Sequence, residues 1–80
     1  MTVSIQIDGI QLFDNSGEKL EIRLRRAIER YVERFSKKPT HCKVNEGEVG
    51  GEVELMGVKV IGAREVTPGN MLIGVEAGHG

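Results

Sequence analysis

The 80-residue chain has one cysteine, no tryptophan, three aromatic residues and two prolines. A single thiol, Cys42, rules out a disulfide within one chain. No apolar run reaches the roughly 18 to 20 residues that span a bilayer, and Met1-Thr2-Val3-Ser4-Ile5 lacks the basic stretch that opens a secretion signal. The expected location is therefore the cytoplasm, which the unpaired cysteine fits. Few aromatics leave little to stack on bases. A domain of this length buries only about 60% of the surface its unfolded chain exposes, so its core is thin. With disulfides excluded, association of subunits is the leading way to complete that core.

What the chain does have is a globular composition, 39% apolar and 29% charged, with eleven glycines. It reads as one domain over residues 1–80, with residues 77–80 a flexible tail. Val3 to Leu12 alternates apolar and polar residues on both sides of Asp8-Gly9, a pair suited to a type I′ turn. This pattern predicts a hairpin in which Ile7 faces Ile10 and Ile5 faces Leu12. Asn15 and Glu18 have capping-box spacing, Gly17 supplies a lead-in and Pro39 a stop, which predicts a helix ending at Lys38. Leu20, Leu24, Ala27, Ile28, Tyr31 and Phe35 form its apolar stripe.

Beyond His41 the chain is rich in glycine and β-branched residues. His41 to Val44 reads as a strand, Glu46 to Gly51 as a loop, and Met56-Gly57 as the turn of a hairpin that puts Val53, Leu55, Val58 and Val60 on one face. Thr67-Pro68-Gly69-Asn70 has type II turn chemistry. Met71 to Val75 is a continuous apolar run that reads as a strand buried on both faces, one of them by another subunit. The expected fold is α+β, one long helix on a mainly antiparallel sheet, in the order ββαβββ(β).

The formal charge of −1 hides a strong polarity. Residues 18–38 carry eight Lys or Arg and four Glu, net +4, while residues 1–17 carry −2 and residues 39–80 carry −3. Lys19, Arg23, Arg26, Arg30, Arg34 and Lys37 fall within about 80° on a helical wheel and form a basic stripe. Such a stripe suits either a phosphate backbone or an acidic protein surface. Ile22 lies across the wheel from the apolar stripe and, with Met71, Leu72, Ile73 and Val75, is a candidate subunit contact.

Little in the chain suggests chemistry. Neighbours on a strand point to opposite faces, so His41 and Cys42 do not converge; Cys42 reads as core, His41 as surface, and His79 sits in the tail. Gly47-Glu48-Val49-Gly50-Gly51 lacks the Lys and Ser or Thr of a phosphate loop. Asp8 and Asp14 read as turn and helix-entry residues. No general base with a partner is evident, so no enzyme activity, cofactor, metal or small-molecule substrate is expected.

The helix, Pro39-Thr40-His41-Cys42-Lys43-Val44-Asn45, Leu55-Met56-Gly57-Val58-Lys59-Val60, then Pro68-Gly69 and Leu72-Ile73-Gly74 occur in an order that resembles the inner domain of tailed-phage major capsid proteins. The resemblance covers about half the chain, which has no room for that family's long spine helix and extended loop, and no functional residue carries over. It implies a small shell-related or virus-derived protein. The function expected from the whole reading is a non-enzymatic interaction or structural protein that forms a homo-oligomer, dimer or higher, with nucleic-acid binding through the basic stripe as the alternative.

Overall fold

The structure, a computed structural model, describes residues 6–77. Its elements are β1 (Ile7–Phe13), α1 (Leu20–Phe35), β2 (His41–Asn45), β3 (Glu52–Leu55), β4 (Val58–Ala63) and β5 (Asn70–Glu76). The strands form one sheet in the order β1-β5-β2-β4-β3. Only β2 and β4 pair in parallel, so the sheet is mixed but mostly antiparallel. The fold is α+β, as expected. Among the described residues the element order is βαββββ, with one strand before the helix where two were expected.

The difference lies at Asp8-Gly9, where β1 runs straight through the expected turn. Gly9 faces Gly74 across the β1–β5 ladder. A Cβ at Gly9 would lie 1.9 Å from the Ile73 carbonyl oxygen, and one at Gly74 would lie 2.2 Å from that of Asp8. Glycine is required here by the close approach of two backbones, not by positive φ. The expected partners Ile7 and Ile10 are therefore in the same strand, opposite Glu76 and Ile73, while Ile5 lies outside the described residues.

The helix is shorter than expected at both ends. Asp14 Oδ1 accepts from the Ser16 N–H (2.9 Å) and Ser16 Oγ from the Glu18 N–H (3.3 Å), so local side-chain bonds hold the approach in a turn. The cap falls on Lys19, with no side-chain capping bond, rather than on Asn15. At the other end Ser36 adopts a left-handed conformation (φ 59°) and donates its N–H to the Val32 carbonyl, ending the helix before Lys38.

Leu24, Ala27 and Tyr31 of α1 pack on Cys42, Val44, Val58, Val60, Met71 and Ile73. Leu20 and Ile28 sit at the margin, and Phe35 is exposed at the helix end. The loop 46–51 covers the same side of the sheet and buries Val49. Gly62 lies directly beneath it, where a Cβ would meet the Val49 carbonyl oxygen at 1.8 Å. The opposite side carries Gln11, Lys43, Lys59, Glu52 and Glu54 and has no helix over it. Strand β5, expected to need another subunit, lies between β1 and β2, and Met71 and Ile73 are covered by the chain itself.

The hairpin at Met56-Gly57 forms, with positive φ at both residues (52° and 77°) and Leu55 opposite Val58. That is the type I′ combination. The turn at Pro68-Gly69 also forms, with Gly69 at φ 88° and the Asn70 N–H donating to the Thr67 carbonyl (3.0 Å). Ala77, expected to begin a tail, donates its N–H to the Gln6 carbonyl (2.8 Å), while residues 78–80 lie outside the described part.

Candidate functional site

Two sites come from the charge pattern and the ladder: the basic stripe of α1 and the strand edge beneath it. The stripe is not uniform. Arg23 is only 8% exposed, its guanidinium held by both carboxylate oxygens of Glu48 and its Nε donating to the Glu18 carbonyl (3.0 Å). The hydrogen bond to Glu48 holds the guanidinium above its ordinary value. Arg23 is thus a clamp between α1 and the loop 46–51, which corrects its place in an exposed stripe. Arg26 reaches Asp14 (3.1 Å) and lies 3.8 Å from Glu18. Bonds from Ser16, and then from Arg26, hold the Asp14 carboxyl below its ordinary value.

Lys19, Arg30, Arg34 and Lys37 have no carboxylate at ion-pair distance among the described residues. Arg34 lies 5.9 Å from the centre of the Phe35 ring. Arg30 overhangs two shallow depressions between α1 and β1, of about 270 and 280 Å³, and Arg34 the second of them. Leu12 lies in both, Ile10 and Met71 in one each, while Glu33 joins Arg30 in both walls and Glu29 joins one. The helix therefore presents alternating signs above an apolar floor.

Strand β1 closes one end of the sheet. The Ala77 N–H bonds to the Gln6 carbonyl and the Asp14 N–H to the Gly69 carbonyl, so residues 6 and 14 turn their polar groups toward β5. Antiparallel strands alternate, which turns Asp8, Ile10 and Leu12 inward as well and leaves the N–H and C=O of Ile7, Gly9, Gln11 and Phe13 pointing off the edge. Among the described residues no strand pairs with them. Phe13, 64% exposed, stands at the end of this row.

Of the candidate contacts, Met71 and Ile73 are inside the core and offer no surface, whereas Ile22, Leu72 and Val75 are half-buried. Cys42 is fully buried, and desolvation pushes its thiol from 9.0 to about 12. His41 turns to the other side, where Nδ1 meets Thr40 Oγ1 (2.8 Å) and Nε2 is 3.9 Å from Glu76, so it is half-buried rather than fully on the surface. Glu48 and the β1 edge are absent from the sequence-derived sites. A signal existed only for the pairing of β1 with β5: an isolated Gly within an alternating run marks close backbone approach, and a second one, Gly74, interrupts the apolar run of β5.

Comparison of the chain with protein-family models, curated proteins and solved structures found no match. No helix among the described residues is long and apolar enough to cross a membrane.

Proposed function

We propose that this protein is a non-enzymatic interaction domain that self-associates by extending its sheet at β1. The observation that carries this reading is the outward row of backbone groups on Ile7, Gly9, Gln11 and Phe13, in a strand with no proline and one charged side chain. Sheet edges in monomeric proteins are normally blocked by charge, proline, shortness or a covering element. The resemblance of the motif order to phage capsid inner domains is in keeping with assembly. Nucleic acid is a poorer occupant of the basic stripe, because Arg23 and Arg26 are already paired and Glu29 and Glu33 stand beside Arg30.

Light scattering over micromolar to millimolar concentration tests the reading. The native chain is expected to gain mass with concentration, and Gln11→Pro, which removes an outward N–H without touching the β5 ladder, is expected to stay monomeric and folded. A native chain that is monomeric throughout contradicts the proposal, as does a Gln11→Pro chain that associates equally well.

A further inference from the structure

Resting on that reading, we infer that the occupant of the β1 edge is a second copy of this chain, related by a two-fold axis through Ile10. Only odd-numbered residues of β1 present outward polar groups, so an antiparallel partner must bond odd residues to odd. If all seven residues of β1 pair, Ile7 lies opposite Phe13 of the second copy, Gly9 opposite Gln11, and Ile10 opposite Ile10. A register centred on Gly9 or Gln11 leaves part of the strand unpaired.

The helix side of the edge favours a copy over a foreign strand. Ile10 and Leu12 are half-buried on that side; the axis places Ile10 against its own counterpart, joining the apolar floors of the two grooves, with Asp8 of the other copy opposite Leu12. The helix runs over β1 and β5. With strands about 4.8 Å apart, the two helices would lie roughly 10 to 14 Å from each other, within reach of side chains on both. Arg30, Glu33 and Arg34 border Ile10 and Leu12, so a two-fold axis brings each Glu33 toward the arginines of the other copy. An acidic peptide would meet Glu29 and Glu33, and a basic one Arg30 and Arg34. A copy satisfies both signs at once, as an isologous contact requires.

Cysteine cross-linking distinguishes the register. A non-hydrogen-bonded antiparallel pair has Cα atoms about 4.5 Å apart, inside the disulfide range, so Ile10→Cys is expected to give a covalent dimer under mild oxidation. Native Cys42 is fully buried and does not compete. Because Asp8 lies opposite Leu12 of the other copy, Asp8→Cys mixed with Leu12→Cys is expected to cross-link, and neither alone. This second arm holds if Ile10→Cys fails to fold. Glu33→Arg is expected to weaken the dimer about tenfold, since symmetry applies each change twice.

Cross-linking of Gln11→Cys with itself in place of Ile10→Cys overturns the two-fold at Ile10 while leaving association at β1 intact. A dimer unaffected by Glu33→Arg overturns the helix contact. A chain that never dimerises overturns both the inference and the reading beneath it.

Discussion

Strands β1 and β3 close the two ends of one sheet, yet β1 runs for seven residues with Asp8 its only charge, whereas β3 has four residues, two of them Glu52 and Glu54. In β3 the Leu55–Val58 and Val53–Val60 pairs flank a two-residue turn, so Glu52 and Glu54 are the residues whose backbone groups point outward. An incoming strand would bring its backbone up beside two carboxylates, one of them 3.4 Å from Lys59. Shortness and charge are the usual means of keeping an edge unpaired, and β3 has both. β1 has neither. The contrast separates an end of the sheet built to stay single from one left ready to pair.

The largest effect is expected at Gly9. Gly9→Val places a side chain in the backbone of β5 and should cost about 3 kcal/mol or prevent folding, read as a fall in the denaturation midpoint. A small cost would mean that β1 is not held as described, and the comparison of edges would fall with it. Glu48→Ala comes next. It leaves Arg23 desolvated without its carboxylate partner and detaches the loop leading into β3, at an expected cost of about 2 kcal/mol by the same measurement.

Removing the charge of β3 sharpens the comparison. Glu52→Val with Glu54→Val gives the sheet two open ends, and sedimentation should then show species growing with concentration beyond the limit of the native chain. Unchanged sedimentation would mean that the glutamates are not what blocks β3. The smallest effect is expected at the hairpin turn. Met56, exposed and held at φ 52°, is replaced by the better left-handed residue in Met56→Asn, which should stabilise by about 0.5 to 1 kcal/mol without altering association.

The parts of the fold legible in the sequence are those where one local cause acts. The stripe of Leu24, Ala27 and Tyr31, the turn at Pro68-Gly69 and the Met56-Gly57 hairpin each follow from periodicity or φ preference, and all appear. Asp8-Gly9 reads as a turn and is not one, because glycine serves two needs, positive φ and close backbone approach, and only the pairing with Gly74 decides between them. The helix cap moved because Asp14 and Ser16 compete locally for the backbone of the lead-in.

The basic stripe is only half legible for a similar reason. Helical spacing fixes which side chains align, but Arg23 meets Glu48 twenty-five positions away, across a loop whose path no local pattern specifies. The β1 edge could not be read from β1 at all. A strand is an edge by virtue of its place in the sheet, and that place depends on the last strand of the chain inserting between β1 and β2.

Amide hydrogen exchange at several protein concentrations tests the central claim most directly. The N–H groups of Asp8, Ile10 and Leu12, bonded to β5, should be protected at every concentration. Those of Ile7, Gly9, Gln11 and Phe13 should exchange rapidly when dilute and become protected as concentration rises, while Glu52 and Glu54 stay unprotected. Concentration-independent exchange at the four odd positions, or protection appearing at β3 instead, would contradict it.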